Sequence, residues 1–218
     1  MNVLGFDTCT AATSVCLLRE DGEAFELIPD EARLLGPPGH ARELMPGVAS
    51  VLADAGLSYK DLDAIGVGVG PGTFTGLRIG VTTARALAHA DGIPIHPVSS
   101  LAALAEDIEG EQRLPLIDAK RGELFAALYR GDDELWPPFA ATPERLIERL
   151  RDAALPVVAA GDGSLRFRNE LEAGGVVIGP RHAVRGLHVC RLAARVPAVP
   201  PEAVLPNYLR DPDAKPQR

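Results

Sequence analysis

A chain of 218 residues is long enough for one large domain or two lobes of about 100 residues, either with a sizeable core. Its 46% apolar and 24% charged residues are those of an ordinary globular protein, and a formal net charge of −8 argues against a large nucleic-acid footprint, which needs clustered Lys and Arg. Three cysteines without Cys-x-x-Cys spacing (Cys9, Cys16 and Cys190) suit a reducing compartment and thiols used as small core residues; with no basic leader and no apolar run of membrane-spanning length, a cytoplasmic protein is expected.

The spacing predicts a strand over residues 3–6, ending at Asp7, a polar turn over 8–13, and a returning strand over 15–18. A helix is expected over 41–55, with Leu44, Val48, Val51, Leu52 and Ala55 on one face and Pro46 in its first turn or at a kink. A strand ending near Val69 runs into the segment Gly70-Pro71-Gly72-Thr73-Phe74-Thr75-Gly76-Leu77-Arg78-Ile79-Gly80, in which Gly66, Gly68 and Gly70 leave room for close approach by a backbone or a ligand. Thr73 or Thr75 caps the following helix, over 75–90, with Leu77, Val81 and Ala84 on one side; its free N–H groups would attract an anion only modestly, and glycine needed for packing alone is the competing explanation. Neither a P-loop nor a Rossmann fingerprint is present.

A short strand over 95–98 and a helix capped by Ser99 or Ser100 follow. The opening pattern then recurs: a strand over 114–117, Asp118, a turn over 119–122, and a returning strand over 124–129, which suggests a duplicated α/β architecture. Thr142-Pro143-Glu144 opens a helix reaching about residue 151. A buried strand over 156–160 ends in Gly161-Asp162-Gly163, and a short helix, a strand over 176–178 and a helix over 182–196 complete the chain before a Pro-rich, fraying tail.

With Asp7-Thr8-x-Thr10, Ser14-Val15, the Gly70 to Gly80 block, Asp118-Ala119-x-x-Gly122-Glu123 and Pro206-x-Tyr208-Leu209-Arg210, the chain resembles the TsaB (YeaZ) family over nearly its whole length. The resemblance implies an α/β fold of the duplicated actin-like ATPase and sugar-kinase (ASKHA) type, two βα lobes with mixed sheets. Residues 1–100 would be the N-terminal, partner-binding lobe and 101–218 the C-terminal lobe with an extended tail. It further implies a non-catalytic subunit that binds a TsaD-like catalytic subunit, with the ATPase TsaE, in bacterial tRNA threonylcarbamoyladenosine synthesis. There threonylcarbamoyl-AMP serves the adenosine next to the anticodon, and this chain would meet tRNA only through the complex.

The chemistry-bearing residues are compatible with that role. No two of His40, His89, His96, His182 and His188 have the i, i+4 spacing of a helical metal pair, and no metal or cofactor is expected. Ser99, Ser100 and Ser164 lack a nucleophile-elbow context, and Cys9 has no signature of an activated thiol. Asp7, Thr8, Thr10, Gly72, Thr73 and Asp118 mark a possible vestigial nucleotide cleft; the competing reading is two strand-end aspartates that cap turns. A kinase-like, ATP-dependent phosphotransferase is the alternative function. Leu44, Met45, Val48, Leu52, Leu77, Val81 and Ala84 are the expected partner-binding residues, by resemblance through a bundle of helices from both proteins, unless they face the chain's own sheet; the same surface would serve a homodimer without partner. The chain departs from the family pattern at His40-Ala41-Arg42-Glu43, where a His-Ser-Glu serine is lost, and at Val69, where a polar residue is common.

Overall fold

A computed structural model describes residues 1–151 and 156–210. The fraying tail expected from Pro197 onward is packed as far as Arg210, because the Val199 and Asn207 N–H groups donate to the Ile95 and Val69 carbonyls and Val204 is buried; its remainder lies outside the described residues. Two five-stranded sheets carry the fold. The first is built from β1 (Val3–Asp7), β2 (Ser14–Leu18), β3 (Ala24–Leu27), β4 (Ala64–Gly68) and β5 (Ile95–Val98), in the order β3-β2-β1-β4-β5. The second uses β6 (Gln112–Lys120), β7 (Glu123–Arg130), β8 (Asp133–Ala141), β9 (Val157–Ala160) and β10 (Val177–Ile178), in the order β8-β7-β6-β9-β10. In each sheet a three-stranded antiparallel meander continues through two parallel strands. The duplication suggested by the Asp7 and Asp118 turns therefore extends to whole-sheet topology. β3 and β8 are additions to the expected elements; β8 carries Pro137 and Pro138, residues that strands tolerate only at an edge, and an edge is where it lies.

Helices fill three layers around the sheets. α1 (His40–Asp54) and α2 (Phe74–Asp91) cover the outer face of the first sheet, where Leu44, Val48, Val51, Val81, Ala84 and Ala88 pack on Leu4, Phe6, Val15 and Ile65. α1 runs unbroken through Pro46, which falls in its second turn on the exposed side. Thr73 is the α2 cap, accepting from the Gly76 N–H at 3.3 Å, and Gly92 ends the helix in the left-handed region at φ 68°. α4 (Pro143–Leu150) and α6 (Arg168–Ala173) cover the outer face of the second sheet through Leu146, Leu150 and Leu171. α5 (Asp162–Arg166) follows β9.

Between the sheets lie α3 (Ser100–Ala105) and α7 (Gly186–Ala193), which join both lobes into one core with Val3, Ala64, Ile117, Phe125 and Tyr129. The expected helix over 182–196 is shorter at both ends. The N–H groups of His182 and Ala183 donate to the Glu31 carboxylate, at 2.6 and 3.1 Å, and this capture by a distant side chain keeps residues 182–185 out of the helix. α7 comes from the second half of the chain yet lies directly on β1, β2 and β4 of the first. Its closeness explains Gly5 and Gly66: a Cβ on Gly5 would stand 2.5 Å from Cys190 Sγ, and one on Gly66 2.8 Å from Ala193 Cβ. Gly5→Ala is accordingly expected to lower the unfolding free energy by about 2 kcal/mol or more, read by urea denaturation with an unchanged m-value.

Candidate functional site

The turn after β1 is held from three sides. Asp7, 1% exposed, accepts the Cys9 N–H on one carboxylate oxygen at 2.7 Å and the Ser100 hydroxyl on the other. Gly68 lies against the same carboxylate, so closely that a Cβ there would be 1.8 Å from Oδ2. Burial pushes the Asp7 carboxyl above the usual carboxylate range, against the opposing effect of its hydrogen bonds. Thr8 donates its hydroxyl to the Gly76 carbonyl at 2.7 Å, and the Cys9 carbonyl accepts the Thr73 N–H at 2.8 Å. Side chains at Gly72 and Gly76 would collide with the Cys9 and Thr8 carbonyls, at 2.4 and 1.9 Å. The glycines of the Gly70 to Gly80 block thus admit the chain's own first loop, and the Gly70–Pro71 peptide within it is cis. His40 ties α1 to this loop through Thr13 Oγ1 (2.9 Å) and the Thr10 carbonyl (3.0 Å), and Thr13 also donates to Glu43. The α1 cap residue is Gly39, and Ala41, the position of the family serine, lies inside the first turn of the helix and not at its cap.

The second lobe repeats the device with a different outcome. Asp118 accepts the Lys120 N–H at 2.8 Å, as Asp7 accepts that of Cys9. Its other oxygen meets Lys120 Nζ at 2.8 Å and Arg166 Nε at 3.5 Å. Asp162, from the Gly-Asp-Gly turn after β9, accepts the Asp118 N–H at 3.0 Å; burial, its first cause, and the neighbouring Asp118 charge push its carboxyl up to about 6. Lys120 and Arg121 both take positive φ, 63° and 56°, values that side chains of this size rarely adopt.

A cleft of about 570 Å³ separates the two turns. Gly72, Thr73, Phe74 and Thr75 wall it on the first lobe, Asp118, Ala119, Lys120 and Phe125 on the second. The segment Asn207 to Arg210 runs along it and is fastened at both ends. The Asn207 N–H donates to the Val69 carbonyl at 2.7 Å, Tyr208 lies 5.2 Å from the Phe74 ring, and Arg210 bonds Glu123 and the Ala119 carbonyl. Of the six residues expected to mark a vestigial nucleotide cleft, Gly72, Thr73 and Asp118 line it; Asp7, at the end of β1, and Thr8 and Thr10, within the first loop, are buried away from it. Ser100, Lys120, Asp162 and Tyr208 belong to the same region and were not singled out from sequence as site residues, although the Gly-Asp-Gly turn and the Tyr-Leu-Arg motif flagged two of them.

The seven residues expected at a partner interface divide unevenly. Leu44, Val48, Leu52, Leu77, Val81 and Ala84 are at most 4% exposed and pack within the chain, so they form no surface in this conformation; Met45 is 44% exposed. The physical reason is the amphipathic stripe: one sheet face needs one cover, and the most apolar face of each helix supplies it. Outward on α1 are Ala41, Met45, Pro46, Ala49 and Ala53, and on α2 Thr82, Ala86 and Ala90 with Arg78. Among the described residues no group of three His, Cys, Asp or Glu side chains converges as a metal set. Ser164 lies 3.2 Å from His182 Nδ1, but its hydroxyl donates to the Gly161 carbonyl and both residues are buried.

Two mixed five-stranded sheets of one topology around a cleft define a duplicated, two-lobed α/β protein, a fold shared at a TM-score of 0.51 and 9% identity by the activator of the 2-hydroxyisocaproyl-CoA dehydratase from Clostridium difficile. Residues 36–150 match the family model described as "TsaD: tRNA N6-adenosine threonylcarbamoyltransferase". A Bacillus subtilis protein named tRNA threonylcarbamoyladenosine biosynthesis protein TsaB is 31% identical over 96% of this chain and 94% of its own length. An uncharacterized Mycobacterium leprae protein is 36% identical over 98% of this chain, which spans 56% of that relative's length. The solved structure of YeaZ from Pseudomonas aeruginosa has a TM-score of 0.83 at 30% identity, covering 95% of this chain and 99% of that one. The chain belongs to the TsaB (YeaZ) family.

The raised Asp162 carboxyl makes a pH prediction with a definite sign. The unfolded carboxyl loses its proton near the ordinary value of 3.8 and the folded one only at about 6, so the folded state holds more protons between these values and stability falls as pH rises through that window. Asp162→Asn keeps an oxygen for the Asp118 N–H and removes the titration. Its Tm, relative to the parent, is expected to rise between pH 4 and pH 7 by the equivalent of about 2 kcal/mol, measured by calorimetry across pH.

Proposed function

We propose that this chain is a non-catalytic subunit that docks on a TsaD-type catalytic subunit, works with a TsaE-like ATPase in the cytoplasm, and supports threonylcarbamoyl transfer to the adenosine next to the anticodon of tRNA. The observation that carries this reading is the closure of Asp7. A phosphotransferase of this fold needs a carboxylate open to magnesium and phosphate, and here both Asp7 oxygens are engaged by Cys9 and Ser100 under 1% exposure. Asp118 is likewise engaged by Lys120. The relatives named for tRNA threonylcarbamoyladenosine biosynthesis and the match to the TsaD family model support this reading of the pathway.

Docking falls to the first lobe, residues 1–100, through the outward faces of α1 and α2. Ala41, Met45, Ala49 and Ala53 recur every fourth residue on α1, a small-residue stripe that lets another helix approach, with Met45 as an adaptable apolar contact. The same stripe suits a second copy of this chain, so a homodimer forms when the partner is absent. Binding helps catalysis only through differential affinity for the competent conformation of the catalytic subunit.

The test is transfer to tRNA reconstituted from threonylcarbamoyl-AMP, TsaD and TsaE, with and without this chain. Product is expected only with the chain present, and none from the chain alone; product unchanged by its omission overturns the reading. Met45→Glu, at an exposed position, should weaken association with TsaD at least about tenfold at unchanged Tm, whereas Val48→Glu, in the core, should lower the Tm as well. Magnesium-dependent nucleotide binding abolished by Asp7→Ala would instead favour the phosphotransferase.

A further inference from the structure

We propose that Arg78, near the start of α2, receives a carboxylate of the docking partner, and that Arg85, two turns further on, extends it into a basic contact for an acidic protein surface. The inference rests on the reading of this chain as a subunit that docks on a TsaD-type protein, and names the chemistry of that contact. The chain carries 30 acidic and 22 basic residues, yet the whole of 64–90 holds no Asp or Glu and does hold Arg78, Arg85 and His89. Residues seven apart share a side of a helix, so Arg78 and Arg85 stand together, flanking the Val81, Ala84 and Ala88 stripe that packs on the sheet. Among the described residues neither has an acidic partner, not even Glu202 on the turn that packs along α2.

Arg78 is also held in place before any partner arrives. Its guanidinium carbon lies 3.8 Å over the Phe74 ring, and its Nε–H donates to the Tyr208 hydroxyl at 3.3 Å. Tyr208 in turn lies 5.2 Å from Phe74, and its segment is anchored by the Asn207 N–H on the Val69 carbonyl. A guanidinium has five N–H donors, and those on the two η nitrogens of Arg78 have no partner among the described residues. That fork matches the two oxygens of a carboxylate, and a side chain already ordered loses little entropy on binding. The apolar neighbours favour a protein over a nucleic acid as the source of the anion. Phe74 and Tyr208 are 37% and 39% exposed, and Leu205, between the buried Val204 and Tyr208 in the chain, is 67% exposed. Aromatic side chains and arginine together are the composition of an interface hot spot. Two arginines on a chain of net charge −8 make no basic track for a phosphate backbone.

The test is calorimetric titration of TsaD into the full chain and its variants, with titration of tRNA and sedimentation of the chain alone as further arms. Arg78→Gln is expected to weaken association with TsaD at least about tenfold, and Arg78→Lys, which keeps the charge and loses the fork, at least about threefold. Tyr208→Phe, which releases only the Arg78 Nε–H, and Arg85→Gln should each weaken it about threefold. Each Tm should move by less than about 2 °C, because none of these side chains is in the core. Among Asp→Arg and Glu→Arg variants of TsaD, one that has lost affinity should regain it with Arg78→Glu, which identifies the carboxylate. Parent affinity kept by both Arg78→Gln and Arg78→Lys overturns the inference, while docking itself stands if the parent chain binds TsaD. A parent chain that does not bind TsaD overturns both. Loss of tRNA binding to the chain alone in Arg78→Gln identifies a phosphate as the anion, and an effect confined to self-association identifies a second copy as the occupant; either result also overturns the inference.

Discussion

The buried carboxylate of Asp7 is the constraint from which the first lobe is organised. An unpaired carboxylate at 1% exposure would be expensive, and the surrounding structure satisfies it with the Cys9 N–H and the Ser100 hydroxyl. Those two bonds fix three things together: the turn after β1, the start of α3, and the end of β4, where only glycine at Gly68 fits beside the carboxylate. Because the turn is fixed, its Thr8 and Cys9 carbonyls stand at defined heights, and the Gly70 to Gly80 block must be bare enough to lie on them. A motif whose glycines in sequence admit either a backbone or a ligand thus becomes the seat of an internal loop.

The same strand-Asp-turn unit has diverged between the lobes. Both aspartates accept the N–H two residues ahead, which is the local, inherited part. What differs is the second oxygen. In the first lobe it is turned inward to a neutral serine; in the second it is turned toward Lys120 and Arg166, of which Lys120 lines the cleft. One unit has become a structural knot and the other a charged wall: the first oxygen's partner, Ser100, is remote in sequence, while the second is met by the local Lys120 at 2.8 Å and the remote Arg166 at 3.5 Å.

Two long-range connections then hold the lobes together. α7 lies between the sheets, pressed on glycines of β1 and β4, and the Asn207 to Arg210 segment joins Val69 and Phe74 of one lobe to Glu123 and Ala119 of the other. Both come from the last part of the chain. The first lobe as a sequence interval is therefore incomplete as a packed body: part of its inner cover is supplied by residues from the other half.

The sequence by itself determined the family, the α/β class, the two strand-Asp-turn units and most helix positions, because these depend on local periodicity, capping residues and glycine placement, which act over a few residues. Thr73, Ser99 and Thr142 cap the helices they were expected to cap, or were among the expected choices. Only the tertiary structure decided which face of α1 and α2 is spent on the sheet. Periodicity marks an apolar face without saying what covers it, so Leu44 and Val48 read equally well as core or as interface, and packing buries them and leaves Met45 outside. Tertiary structure likewise decided that Glu31 delays the start of α7, that β3 and β8 complete the sheets, and that Lys120 and Tyr208 meet at one cleft. Each of these rests on a contact between residues far apart along the chain, and local pattern carries no record of such distances.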